Sequence, residues 1–137
     1  MGVNGLTSQI IGAAIEVHRE LGPGLLESAY QACMIHELAQ RHIPIERNKP
    51  LYVNYKGTPI DAAYRLDILV DAQVVVEIKS VERLDPVHTA QVLTYLRLSG
   101  CNVGLLINFN VTLLRHGIRR LVHNFPEPSP RPLRPQR

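Results

Sequence analysis

A chain of 137 residues, 45% hydrophobic and 20% charged, has the size and balance of one ordinary globular domain, which excludes the disordered and fibrous classes. No apolar run reaches the roughly 18 residues of a membrane span, and no basic segment followed by an apolar stretch opens the chain, so a cytoplasmic protein without membrane attachment is expected. The formal charge of +3 is concentrated at the end, where Arg131, Arg134 and Arg137 accompany Glu127; the rest carries about +1, and bulk charge gives no argument for nucleic acid.

In chain order, residues 8–20 place Ile11, Ala14, Ile15 and His18 on one face of a helix, with Thr7 or Ser8 as its cap. Gly22-Pro23-Gly24 forces a turn. A second helix from Leu25 or Leu26 to about His42 then presents Leu26, Tyr30, Cys33, Met34 and Leu38 on one side, closed by Ile43-Pro44.

The period then changes to two. Leu51, Val53 and Tyr55 alternate with polar residues, a turn follows at Lys56–Pro59, and the runs Tyr64–Val70 and Val74–Lys79 flank Asp71-Ala72-Gln73, which reads as an antiparallel meander. Both runs are apolar at nearly every position, as expected when helices cover both faces of a sheet. Asp85-Pro86 caps a third helix that runs to about Leu98 and stops at Ser99-Gly100. Val103–Phe109 is a further buried strand. Leu113–Val122 fits either a helix or a bent edge strand, and the strand is preferred.

The fold class is therefore α/β or α+β, with one domain over residues 1–125. Residues 126–137 hold half of the chain's 10 prolines and form a Pro/Arg-rich disordered tail. Cys33 and Cys101 lack any CxxC spacing and read as reduced core thiols.

The hairpin carries the chemistry. If its loop is symmetric about Ala72, Asp67 lies opposite Glu77 and Arg65 opposite Lys79, and Lys79 shares the face of Glu77. Two carboxylates held side by side out of water repel each other, and a divalent cation removes the conflict. Asp67, Glu77 and the backbone carbonyl of Ile78 supply hard oxygen ligands for Mg²⁺, leaving positions for water and a phosphate oxygen. Lys79 sits where an amine can orient or deprotonate that water or offset phosphoryl charge. Such an arrangement hydrolyses phosphodiesters. The alternative is a set of cross-strand ion pairs on a solvated face, against which the flanking apolar runs argue.

His88, Gln91 and Tyr95 fall on one side of the third helix and are placed to face the strand site, binding phosphate or positioning water. Glu27 opens the second helix, where an acid also simply suits the helix dipole, and Tyr30 by itself reads as core. His36 and His42 are six apart rather than the four of a zinc helix, and no Gly-Lys-Ser/Thr follows Gly22-Pro23-Gly24, which sets aside metalloprotease and nucleotide-triphosphate sites.

Taken in order, Gly24-x-x-Glu27-x-x-Tyr30, Leu66-Asp67-Ile68-Leu69-Val70, Val76-Glu77-Ile78-Lys79-Ser80 and His88-x-x-Gln91-x-x-x-Tyr95-Leu96-Arg97 resemble the GxxExxY proteins. These are small members of the PD-(D/E)xK nuclease superfamily, and the resemblance runs from about residue 5 to 123. It implies a restriction-endonuclease-like core, a mixed central sheet of about four to five strands flanked by helices. It also implies Asp67 and Glu77 as metal ligands, Lys79 as the catalytic lysine and Glu27 as the acid from the helix before the sheet. Gln91 and Tyr95 match the QxxxY element of the exonuclease-like branch. Leu66 stands where the family pattern has proline, and the chain carries no appended helicase or DNA-recognition domain.

The expected function is a Mg²⁺- or Mn²⁺-dependent nuclease acting on DNA, with RNA as the alternative substrate. Affinity would come from a local patch of Arg65, Lys79, Arg83 and Arg97, from a homodimer or from a protein partner. The alternative is a non-catalytic nucleic-acid- or protein-binding module that keeps the fold.

Overall fold

A computed structural model describes Met1–Asn124, so the expected tail lies outside the described residues. Two helices, α1 (Val3–Leu21) and α2 (Glu27–Gln40), precede strands β1 (Ile45–Tyr55), β2 (Thr58–Val70) and β3 (Val74–Lys79). Helix α3 (Pro86–Ser99), β4 (Val103–Asn108), a short 3-10 turn (Leu114–Gly117) and β5 (Ile118–Val122) complete the chain. The strands form one mixed α+β sheet in the order β1-β2-β3-β4-β5, with β3 and β4 parallel and the other neighbours antiparallel. A parallel neighbour requires a crossover, and α3 supplies it.

Helices cover both faces, as the doubly apolar strands require. On one side α1 and α2 bring Leu6, Ile10, Val17, Tyr30, Met34 and Leu38 onto Ile68, Val70, Val76, Ile78, Leu105 and Ile107. On the other α3 sets Val92, Tyr95 and Leu96 against Leu51, Leu66, Leu69, Val75 and Leu106. Cys33 packs on the first side and buried Cys101 on the second, both as free thiols.

Three expectations are corrected. Helix α1 starts at Val3, and Thr7 lies within it, its hydroxyl donating to the Asn4 carbonyl at 3.0 Å rather than capping. Its buried stripe is Leu6, Ile10, Ala13, Ala14 and Val17, while Ile15 is exposed. The longer stripe wins because it adds Leu6 and buries one continuous line against the sheet. Helix α2 begins one residue after Leu26, which is 77% exposed instead of core. Finally, the segment expected as an edge strand from Leu113 opens with the 3-10 turn before β5. Gly117 is needed there, since a Cβ would collide with the Asn108 carbonyl.

The β1–β2 hairpin is longer than the alternation indicated. Its distal half is exposed on both sides, so nothing imposes a hydrophobic period there. The Lys56-Gly57 corner, with φ of 52° and 85°, closes it as a two-residue turn, and the Asn54 side chain accepts the Gly57 N–H. Helix α3 follows expectation at both ends. Asp85 and His88 form its capping box, Pro86 occupies the first turn and Gly100 ends it.

Candidate active site

The β2–β3 loop is symmetric about Ala72, with Val70 opposite Val74, Leu69 opposite Val75 and Ile68 opposite Val76. Backbone pairing stops there. The next residue, Asp67, turns its carboxylate onto β3, where Oδ2 accepts the Ile78 N–H at 2.8 Å. Arg65 does not reach a pairing with Lys79; it lies exposed with its guanidinium 3.6 Å from Asp61.

A second break sits on the other flank of β2. Arg47 pairs with Ile68 and Lys49 with Leu66, but Asn48 between them has φ 50° and no register partner. Across this break the inward face changes: Leu69 and Leu66, an odd and an even position, both pack toward α3. Asp67 is the residue at which the strand switches. Gln31 of α2 fastens it, donating to the Asp67 carbonyl and to Asn48 Oδ1, both at 3.0 Å.

Glu77 projects toward α3, one alternate position beyond Val75, and is 4% exposed. Its Oε1 is buried without a hydrogen-bond partner, and its Oε2 lies 3.8 Å from Lys79 Nζ. Burial first, then repulsion from Asp67, raises the Glu77 carboxyl to about 8, against an opposing pull from Lys79. The Asp67 carboxyl is also raised, by burial above all, although the Ile78 N–H and Lys79 hold it back. Glu27, exposed in the first turn of α2, raises both further by its charge.

From Lys79 a polar chain runs into α3. Nζ donates to Gln91 Oε1 at 3.0 Å, and Gln91 Nε2 donates to the Tyr95 hydroxyl at 2.9 Å. Burial, followed by the charge of Glu77, raises the Tyr95 phenol. The structure thus brings Asp67, Glu77, Ile78, Lys79, Gln91 and Tyr95 together, with Glu27 at the rim. His88 does not join them by hydrogen bond: its Nδ1 accepts the Asp85 N–H at 2.9 Å in the capping box.

The expected basic patch does not form as one unit. Lys79 is engaged as described, Arg83 lies 3.7 Å from Asp85, and Arg97 is in the last turn of α3.

The Gly24, Glu27 and Tyr30 spacing has a mechanical explanation. Gly24 takes φ 99°, open to glycine, and Tyr30 stacks on Phe109 with ring centroids 4.5 Å apart. The Tyr30 hydroxyl donates to the Gly22 carbonyl at 2.5 Å and accepts the Leu25 N–H at 3.2 Å, while Ser80 Oγ donates to the Leu25 carbonyl at 2.6 Å. The turn is thereby docked on the end of β3, which sets Glu27 beside the carboxylates. Gln31, Ser80 and the buried Asn108, which holds both backbone groups of Val81 at 3.0 Å, were not legible as site supports. Only the four-residue step from Glu27 to Gln31 hinted that they share a helix face.

Among the described residues no three His, Cys, Asp or Glu side chains converge to hold a metal ion. What the site offers is two carboxylates and a main-chain oxygen. In a strand the N–H and C=O of one residue point to the same side, and the Ile78 N–H points at Asp67. The unpartnered Glu77 oxygen and the two raised carboxyls are what a hard cation would relieve, so the donor set fits one.

Residues 4–121 match the family model of the PD-(D/E)XK nuclease superfamily, and the chain belongs to that superfamily. Its three helices and five-strand mixed sheet are consistent with a restriction-endonuclease-like core. No curated protein and no solved structure matched the chain.

Proposed function

We propose that this member of the nuclease superfamily hydrolyses phosphodiester bonds of nucleic acid, DNA first and RNA second, with Asp67, Glu77 and the Ile78 carbonyl holding Mg²⁺ or Mn²⁺. The buried, unpartnered Glu77 Oε1 beside a second carboxyl carries this reading. When bound, the cation supplies Lewis-acid polarisation of a phosphoryl oxygen and lowers the pKa of water.

The chain's own groups do the rest. Lys79 is the amine that orients the attacking water or balances charge on the phosphoryl group, and Gln91 fixes its rotamer by accepting from Nζ. Tyr95 holds the Gln91 amide in that orientation. Glu27 adds negative potential over the pair, favouring cation uptake. Glu77 is buried and Asp67 and Lys79 are half-buried, so charge interactions among them are stronger than in water.

Calorimetric titration of the full chain with Mn²⁺ and Mg²⁺, beside Asp67→Ala and Glu77→Ala, tests it. Binding that vanishes in both variants, with cleavage of a labelled DNA by wild type alone, is expected. A folded wild type without metal-dependent heat or rise in melting temperature refutes it and favours the non-catalytic module.

A further inference from the structure

A cavity of about 330 Å³ opens between β2 and α3, walled by Tyr64, Val87, Ala90 and Tyr95, with His88 and Gln91 at its polar edge. Tyr64 and Tyr95 meet edge to face with ring centroids 6.0 Å apart, and Tyr64 remains 37% exposed. Val87 on the opposite wall is 67% exposed. A partly open aromatic ring beside small apolar groups, with amide and imidazole groups at the rim, has the chemistry that takes a planar heteroaromatic base.

Its position decides the rest. Gln91 and Tyr95 wall the cavity and are also the end of the polar chain from Lys79. A phosphodiester bound beside Lys79 therefore has its neighbouring base within a nucleotide's reach of Tyr64. A base inside a duplex has both faces stacked and its edge paired, and cannot lay a face on the Tyr64 ring without leaving the helix. A second copy of the chain fits less well, because a stable interface needs about 800 Å² per partner, more than this recess provides.

We propose that this cavity is a subsite for an unpaired nucleobase adjoining the scissile phosphate, with Tyr64 as its stacking platform, so that the chain selects single-stranded nucleic acid or frayed ends. The proposal rests on the phosphodiesterase reading for the location of the phosphate.

Fluorescence polarisation with a labelled single strand of about 12 nucleotides, an abasic strand of that length and the corresponding duplex tests it, in EDTA so that nothing is cut. Wild type should bind the single strand more tightly than the duplex or the abasic strand. Tyr64→Ala should weaken the single strand about 5- to 100-fold, the usual loss when one stacked base is deprived of its ring, and leave the duplex unchanged. Tyr64→Phe should stay within about twofold, since stacking needs the ring and not the hydroxyl. Val87→Glu, at an exposed site where folding is not at stake, should also weaken the single strand by placing a carboxylate in the wall of the base subsite, against an anionic ligand. Equal binding by wild type and Tyr64→Ala, equal losses on duplex and single strand, or no oligonucleotide binding at all overturns the subsite. A dimer of wild type that dissociates in Tyr64→Ala, seen by light scattering, assigns the recess to a second copy and overturns it too. Metal titration stands apart from these readouts: loss of the subsite with metal binding intact leaves the phosphodiesterase reading standing.

Discussion

Replacing Glu77 by glutamine removes one of two adjacent carboxyls at nearly constant volume, and the pH dependence of stability should change as a result. In the metal-free protein the Glu77 carboxyl is raised from 4.5 to about 8, chiefly by burial and then by Asp67. A carboxyl raised on folding binds its proton more tightly in the native state. Its contribution is therefore fully present below about pH 4.5 and is lost as pH rises through about 8. At about 1.4 kcal/mol per unit the ceiling on that loss is about 5 kcal/mol. Because Asp67 beside it also has a raised carboxyl, the titration belongs to the pair, and about 2–5 kcal/mol is the working range. Urea unfolding in EDTA at intervals from pH 5 to 9 measures this. Wild type should lose up to about 1.4 kcal/mol per pH unit across the window. Glu77→Gln should lose about half of that or less, because the amide stays neutral and can donate to Asp67. Saturating Mn²⁺, at about 100 times Kd, should restore about 2.7 kcal/mol to wild type and nothing to the variant. A wild-type curve that is flat or rising from pH 5 to 8, or parallel curves for the two proteins, refutes the reasoning.

Lys79→Ala should lower the cleavage rate about 10²- to 10⁴-fold, the range for a positioned proton-transfer group, with metal binding retained; rapid cleavage in a folded variant removes Lys79 from the chemistry. Gln31→Ala deletes the two hydrogen bonds that fasten Asp67 and Asn48. It should cost about 1–2 kcal/mol in urea unfolding and weaken Mn²⁺ binding by calorimetry, whereas unchanged metal affinity would mean that Asp67 is held without it.

The legibility of the molecule follows which interactions are local. Helix α3 could be bounded from Asp85-Pro86 and Ser99-Gly100 because caps act within a few residues. The β2–β3 register could be deduced as far as Ile68 and Val76 because a three-residue loop leaves little freedom, and Asp67 and Glu77 interact beyond it although their backbones no longer pair. The buried face of α1 could not be settled, since two overlapping apolar stripes fit the helical period and only the sheet chooses between them. The same limit hid Gln31 and Asn108. Each acts across the fold, at separations of 36 and 27 residues, through amide groups common to every Asn and Gln of the chain.

The internal geometry also bears on whether the acid–acid–lysine set is a structural ion pair. A structural pair would place the ammonium against the carboxylate and satisfy every buried oxygen, because an unpaired buried charge is costly. Here Lys79 makes its 3.0 Å hydrogen bond to a neutral amide, and Glu77 lies 3.8 Å away with Oε1 unpartnered. Asp67, for its part, has left the ladder that its neighbours keep, at a point where Asn48 of β1 is also unpaired, the register unchanged on either side, and α2 supplies a fastening. An interrupted ladder, raised carboxyls and an unpartnered buried oxygen thus coincide at Asp67 and Glu77, apart from the separate register shift of the β1–β2 hairpin at Leu51 and Tyr52. Such a concentration of locally unfavourable features, stabilised by a core on each face of the sheet, supports the proposed binding or catalytic role over a purely structural ion pair.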